Sequence, residues 1–254
     1  MKKVLLMLLF PIMSIADVIN LNPTNTIVFR GEVSNESVDY YQKKMHELLK
    51  VRGSKNYKIY LVMDSPGGSV FAGENFIQYL KTVPNVDTIT LFAASMGSAI
   101  VQGNSGTRYI AQNGIMMFHR ASGGLSGQFE TGEVESRLSF FKSSVLAMEI
   151  RNALRMNTTI DNYKKAVVNE LWLYGNQAVY KKAADKQIDI VCSSELIDKQ
   201  DIQNIMLMGI IPISIKFSAC PLFRTPEIAE GRKDEKTLQM FQQYKENMRT
   251  PFAK

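Results

Sequence analysis

The chain has 254 residues, of which 45% are hydrophobic and 21% are charged. This composition suits a globular protein with a full core and excludes a long disordered stretch. The net charge is +6, but basic and acidic residues are interspersed, so no nucleic-acid-binding stripe is indicated. Only two histidines and two cysteines are present, without metal-ligand spacing, and we expect neither a metal nor another cofactor.

The N-terminus has the layout of a secretory signal. Lys2 and Lys3 precede an apolar run over residues 4–13, and Ser14-Ile15-Ala16 offers small residues before Asp17. We therefore predict a signal peptide over residues 1–16 and a periplasmic or secreted location. Loss of the two lysines would lower the net charge from +6 to +4. The alternatives are a buried N-terminal strand or helix, or an uncleaved membrane anchor.

Strand-like and helical hydrophobic patterns alternate through the next part of the chain. The predicted strands are residues 26–30, 58–63, 86–92, 107–110, 115–118 and 188–191. The predicted helices are residues 37–51, 70–83, 95–103, 131–156, 159–168 and 176–184. A turn at Gln112-Asn113-Gly114 separates the fourth and fifth strands. This alternation predicts an α/β fold with a largely parallel sheet over residues 17–192.

The pattern changes after Cys192, and residues 193–254 are treated as a C-terminal extension of unassigned role. Residues 210–217 alternate in polarity, and residues 229–248 read as a charged, exposed helix. Cys192 and Cys220 form an even pair in an oxidising compartment. A disulfide would tie the extension to the domain, but two buried thiols fit the sequence equally well.

Three local features carry chemistry. Residues 65–69 place two glycines between a strand and a helix, where backbone amides form an anion-binding nest. Ser95 follows another strand among small residues at a helix start, which suits a nucleophile. His119 follows a third strand. Because the carboxyl ends of parallel strands meet at one sheet edge, Gly68, Ser95 and His119 are expected to lie together.

These segments resemble the ClpP family of serine peptidases, within the ClpP/crotonase fold. The matching motifs are Ser65-Pro66-Gly67-Gly68-Ser69-Val70, Ala93-Ala94-Ser95-Met96-Gly97-Ser98, Met116-Met117-Phe118-His119, Gly123-Gly124, Gly127-Gln128 and the first strand and turn at residues 26–33. The likeness covers residues 26–191. It implies repeated ββα units with a protruding handle helix, which corresponds to residues 131–156.

The resemblance also implies a role for individual residues. Ser95 is the nucleophile and His119 the general base, while the N–H groups of Gly68 and Met96 form the oxyanion hole. Glu170 stands where the family has the aspartate that orients the histidine. Because glutamate is longer, this third position departs from the family pattern, and a surface carboxylate is the competing interpretation.

The family further implies a homo-oligomer, with rings that stack through the handle helix and an ATP-driven unfoldase that feeds them. An exported copy would meet neither ATP nor that partner. We therefore expect no unfoldase, and a substrate that is an unfolded protein or a short peptide.

Two other functions fit the sequence less well. Crotonase-like acyl-CoA chemistry shares the fold, but it needs neither Ser95 nor His119. A catalytically degenerate member, kept as an assembly or binding module, is supported only by the substitution at Glu170.

Overall fold

A computed structural model of the chain describes residues 17–52, 57–122, 130, 132–223, 225–231 and 233–249. The predicted signal peptide at residues 1–16 lies outside these ranges, as do Gly123-Gly124 and Gly127-Gln128. Among the described residues, no helix has the length and apolar content needed to cross a membrane.

A seven-stranded sheet forms the main body. Its strands are β1 (Asp17–Leu21), β2 (Thr26–Arg30), β3 (Ile59–Ser65), β4 (Val86–Ala94), β5 (Arg108–Phe118), β6 (Leu171–Tyr174) and β7 (Lys186–Cys192). The order is β1-β7-β5-β4-β3-β2, and every neighbouring pair on this path is parallel. Strand β6 lies off the path and pairs antiparallel with β5. The predicted α/β class with a largely parallel sheet is confirmed.

Helices connect these strands. They are α1 (Asn35–Arg52), α2 (Val70–Leu80), α3 (Met96–Gly103), α4 (Glu133–Arg155), α5 (Ile160–Ala166) and α6 (Asn176–Tyr180). The apolar residues at helical spacing in α1, among them Val38, Tyr41 and Met45, are buried in the core against the sheet. Ser69 caps α2 by accepting a hydrogen bond from the Ala72 N–H at 3.3 Å.

The predicted turn at residues 112–114 is wrong, because β5 is one continuous strand. Its register against β4 shifts between Thr90 and Phe92, so residues 111–114 form an irregularity and not a chain reversal. A Cβ on Gly114 would lie 2.6 Å from the Thr90 carbonyl oxygen, so glycine lets the two backbones approach at this point. The short strands β1 and β6 have no counterpart in the sequence prediction.

The C-terminal extension forms a second, antiparallel sheet. It contains α7 (Ser194–Asp198), β8 (Gln200–Leu207), β9 (Ile211–Ser218), β10 (Glu227–Glu230) and α8 (Glu235–Arg249), with strand order β10-β9-β8. The predicted helix over residues 229–248 begins later, since residues 227–230 pair with β9. Phe241 of α8 is buried against Ile213, Ile215 and Phe217 of β9, so α8 is not a fully exposed helix.

The extension covers the second face of the main sheet. Ala219 and Cys220 join a buried cluster with Val28, Val62 and Ile89. Cys192 at the end of β7 is disulfide-bonded to Cys220, so of the two arrangements that the sequence left open the structure has the bonded one. The extension therefore packs on the domain through both a covalent bond and buried apolar surface.

Candidate active site

Parallel strands bring the predicted residues to one edge of the main sheet. Strands β3, β4 and β5 are neighbours, and each ends just before one of these residues. Gly67 and Gly68 follow β3, Ser95 follows β4 and His119 follows β5. The carboxyl edge of the sheet therefore gathers all three segments, as the topology argument predicted.

Ser95 occupies a sharp turn between β4 and α3. Its φ is 53° and its ψ is −120°, a left-handed backbone that costs a non-glycine residue about 1–3 kcal/mol. The Ser95 N–H donates to the Met117 carbonyl at 2.9 Å, and its carbonyl accepts from the Ala99 N–H at 3.1 Å. A hydrogen bond to β5 on one side and a hydrogen bond within α3 on the other thus hold the strained turn. The turn projects the Ser95 side chain from the sheet edge.

Ser95 and His119 are in direct contact. The distance between Ser95 Oγ and His119 Nε2 is 2.7 Å, a short hydrogen bond between partly buried side chains. With the ring proton on Nδ1, the Ser95 hydroxyl donates to Nε2. This is the geometry in which an imidazole can accept the proton of a serine nucleophile.

The double-glycine segment packs directly behind the serine. Gly67 has a φ of 94°, and a Cβ there would lie 2.7 Å from Ser95 Cβ and 2.8 Å from the Met96 nitrogen. Gly68 has a φ of 144°, and its Cβ would lie 2.4 Å from the Val33 carbonyl oxygen. Only glycine tolerates both the backbone conformation and this close approach.

Two backbone amides at this site, one in the double-glycine segment and one at the start of α3, have no hydrogen bond within their own element. The bridge between Val33 and residue 68 uses the Gly67 carbonyl and the Ser69 N–H, and neither of its bonds engages the Gly68 N–H. Met96 is the first residue of α3, where N–H groups have no partner inside the helix. Gly68 and Met96 line the same cavity as Ser95, so their N–H groups are candidate oxyanion donors.

Glu170 lines the same cavity as His119, but its carboxylate is hydrogen-bonded to Trp172. The antiparallel register of β5 and β6 ends with Phe118 opposite Leu171, so His119 follows one strand and Glu170 precedes the other. Both residues line the same cavity. The Glu170 side chain is exposed, and its Oε2 accepts a hydrogen bond from Trp172 Nε1 at 2.9 Å. Glu170 thus shares a cavity with His119, while Trp172 holds its carboxylate.

A cavity of about 500 Å³ opens at Ser95 and His119. One wall comes from α4 and α5 through Met148, Asn152 and Tyr163, which sequence reasoning did not single out. Asn152 is 2% exposed and its Nδ2 donates to the Tyr163 hydroxyl at 3.1 Å. The sequence did contain a signal for Asn152, because a polar residue four positions after Met148 interrupts the buried apolar face of α4. Among the described residues, no group of three or more histidine, cysteine or carboxylate side chains could hold a metal ion.

Comparison with known proteins identifies the class to which this fold and site belong. The family model of the Clp protease matches residues 13–189. The chain is 30% identical over 158 residues to the ATP-dependent Clp protease proteolytic subunit 1 of Leifsonia xyli subsp. xyli (strain CTCB07), covering 60% of this chain and 78% of that protein. It is 28% identical over 167 residues to the ATP-dependent Clp protease proteolytic subunit 2 of Synechococcus sp. (strain CC9605), covering 64% and 83%.

The chain belongs to the Clp protease family. The ClpP/crotonase-like fold that the sequence motifs implied is thereby confirmed, and the protein is a member of a family of peptidases. The matched region ends at residue 189, just before β7 ends, so most of the extension lies beyond the family model.

Proposed function

We propose that this protein is a serine-type endopeptidase that cleaves unfolded proteins or short peptides through an acyl-enzyme on Ser95. The observation that supports this most strongly is the 2.7 Å contact between Ser95 Oγ and His119 Nε2. It occurs beside the amides of Gly68 and Met96, inside a cavity that can admit a peptide side chain.

In the proposed first half-reaction, Ser95 Oγ attacks the carbonyl carbon of the substrate while His119 Nε2 takes the hydroxyl proton. The negative charge that develops on the carbonyl oxygen is stabilised by the two N–H groups. The loss of one such donor typically costs roughly 100- to 1,000-fold in rate. As the C–N bond breaks, His119 returns the proton to the leaving amine, and an ester to Ser95 remains.

In the second half-reaction, a water molecule donates its proton to His119 and attacks the ester. The same two amides stabilise the second tetrahedral intermediate. Collapse of that intermediate breaks the ester bond, releases the carboxylic acid and returns the proton from His119 to Ser95 Oγ. This chemistry needs only side chains and backbone groups.

Glu170 is proposed as the third member of the site. When His119 accepts the serine proton it becomes a cation, and a neighbouring carboxylate stabilises that state and holds the ring orientation. The cavity that His119 and Glu170 both line supports this role. The carboxylate has to turn from Trp172 Nε1 towards the imidazole to act.

The handle helix supports a proposed homo-oligomer. Six large apolar side chains of α4 are each at least 41% exposed, which is more than a solvated helix face requires. They are Val134, Leu138, Phe140, Leu146, Ile150 and Leu154. Two copies that packed these faces together, or a ring stacked through them, would bury this surface. Sedimentation velocity of wild type and of Leu154→Asp tests this proposed homo-oligomer, because the variant should sediment as a smaller species.

The proposed setting is extracytoplasmic, since residues 1–16 have the order of a secretory signal. The relatives are named as ATP-dependent subunits. An exported copy lacks access to ATP, so we propose that it acts without an unfoldase on chains that are already extended.

Hydrolysis of a fluorogenic peptide and of an unfolded protein tests the proposal. Ser95→Ala and His119→Ala should each lower kcat by roughly 1,000-fold or more, because each removes one partner of the proton transfer. His46→Ala is the matched control: His46 is the other histidine of the chain, is exposed on α1 and should leave kcat unchanged. A well-folded wild type that cleaves neither substrate would instead favour the degenerate module.

A further inference from the structure

A second cavity, which we call the extension groove, lies between the peptidase domain and the C-terminal extension. It measures about 640 Å³. The carboxyl ends of β2 and β3 and the start of α1 form one side, and β8 and α8 form the other. Its lining includes Tyr40, Phe92, Ile202 and Tyr244. The extension is therefore needed to build this groove.

The groove adjoins the cavity at Ser95. Glu32 and Pro66 line both spaces. Pro66 directly precedes the double glycine that packs behind Ser95, and Glu32 directly precedes Val33, which bridges to residue 68. A polypeptide that placed one bond at Ser95 could thus continue past these two residues into the groove.

The groove combines carboxylates with aromatic surface. Glu32 and Glu36 are exposed in its lining, whereas Asp64, which also lines it, is ion-paired with Arg30 at 3.8 Å. Hydrogen bonds from Ser34 and from the backbone lower the pKa of Glu36, so this carboxylate is ionised at neutral pH. The half-buried rings of Tyr40 and Tyr244 provide flat apolar walls beside these charges.

The cations near the groove are already engaged by the protein. Arg30 is 5% exposed, and its guanidinium donates to the carbonyls of Ser218, Cys220 and Phe223 at 3.3 Å each. Lys44 is ion-paired with Asp201. Among the described residues that line the groove, the exposed charges are therefore negative, although the chain as a whole carries +6.

We propose that the extension groove binds a lysine or arginine side chain of the substrate polypeptide, at a position remote from the bond that Ser95 cleaves. The inference builds on the proposed peptidase function and adds a substrate-binding role for the C-terminal extension. Lysine and arginine fit this lining, because their aliphatic stems pack on aromatic rings while their charged ends face carboxylates and ring faces.

Two exposed residues of β8 give a matched pair of variants. Ile202 lines the groove and is 55% exposed, whereas Met206, on the same face of the strand, is 57% exposed and does not line it. Ile202→Lys adds a positive charge to the groove, and Met206→Lys adds the same charge outside it. Both substitutions replace an exposed side chain, so neither should disturb the core.

The substrates are peptides that share one cleavable core and differ in an arm on either side. One series carries a lysine at successive positions of the arm, and a second carries methionine at the same positions as a neutral control. Wild type should cleave the lysine-arm peptides faster at one distance from the core. Ile202→Lys and Glu36→Gln should each lower kcat/KM for those peptides about threefold to tenfold, and added salt should shrink the difference.

Three results would overturn the proposal. The first is that wild type cleaves lysine-arm and methionine-arm peptides equally at low salt. The second is that Ile202→Lys and Met206→Lys lower kcat/KM for lysine-arm peptides equally. The third is that Ile202→Lys lowers kcat/KM as much for the core peptide without an arm as for the lysine-arm peptides. Failure of the peptidase function itself is separable. Fluorescence anisotropy of the lysine-arm peptide on Ser95→Ala measures binding without cleavage, and Ile202→Lys in that background should weaken it.

Discussion

At the scale of single residues, the site depends on a serine held in a backbone conformation that serine rarely adopts. Ser95 keeps its positive φ because the Met117 carbonyl and the Ala99 N–H fix it from two sides. The strain places Oγ within 2.7 Å of His119 Nε2. The backbone cost is thus offset by packing of the strand and helix, and Ser95 lines the cavity with its hydroxyl bonded to His119.

Glu170 gives the sharpest prediction at this scale. Glu170→Ala should lower kcat roughly 10- to 1,000-fold with little change in KM, because the carboxylate acts through His119 and does not contact substrate. Glu135→Ala, which removes an exposed carboxylate of α4, is the control. Trp172→Phe removes the indole donor to Glu170 Oε2 and should not lower kcat. Wild-type kcat in Glu170→Ala would show that the residue is a surface carboxylate.

The sequence was sufficient to predict the segments of Ser95, His119 and Gly68, because each directly follows a strand of a parallel sheet. It could not predict the state of Glu170. That residue is positioned by the short strand β6, and its carboxylate is oriented by Trp172, which is two residues away on an exposed edge. These contacts depend on how β6 pairs with β5, and they leave no periodic pattern of hydrophobic residues in the sequence.

At the scale of elements, the turn after β3 and the turn after β4 support each other. Gly67 packs against the backbone of Ala94 and Met96, so the two turns share one interface. The proposed nucleophile and the proposed oxyanion donors are therefore parts of a single packed unit. A substitution that moves either turn should therefore also move the other turn and lower the peptidase activity.

Gly67→Ala tests this coupling. The new Cβ would lie 2.6 Å from the Ala94 carbonyl oxygen, so the turn carrying Ser95 has to move and activity should fall at least about tenfold. Gly209→Ala is the control, because Gly209 also has a positive φ, of 72°, but nothing lies within 4 Å of its Cβ position. Peptidase rates and melting temperatures are measured for both variants. The difference between them gives the effect of the steric clash, because backbone strain is present in both. Equal activity losses would contradict the coupling.

Element prediction succeeded where hydrophobic periodicity was strong. Residues 26–30 form β2 as predicted, and α4 lies within the predicted stretch 131–156. It failed at residues 112–114, where Asn113-Gly114 read as a turn but the backbone continues along β5 between β4 and β7. Turn residues inside a long strand are ambiguous until the neighbouring strands are known.

At the scale of the whole molecule, the extension forms a second layer on the peptidase domain. Tyr41 of α1 illustrates the connection, since its hydroxyl bonds both to the backbone of Arg30 and to Gln203 Nε2 of β8. Burial raises the pKa of this phenol, so it remains a neutral donor and acceptor. The sequence marked the boundary after Cys192 but could not show which face the extension covers.

The disulfide should contribute substantially to this arrangement. Cys192 and Cys220 are 28 residues apart, and the bond closes a loop that the unfolded chain would otherwise leave free. Cys192→Ser with Cys220→Ser should lower the free energy of unfolding by about 3 kcal/mol, measured by denaturant titration. Reduced wild type should match the double variant. An unchanged free energy would mean that buried contacts alone secure the extension.

The most direct test of the account is covalent labelling by a fluorophosphonate probe, followed by mass mapping of the modified peptide. We expect one adduct, on Ser95, which is absent in Ser95→Ala and strongly reduced in His119→Ala, while His46→Ala is labelled like wild type. A folded protein that stays unlabelled, or an adduct on a different serine, would contradict the claim that Ser95 and His119 form a working nucleophile and base.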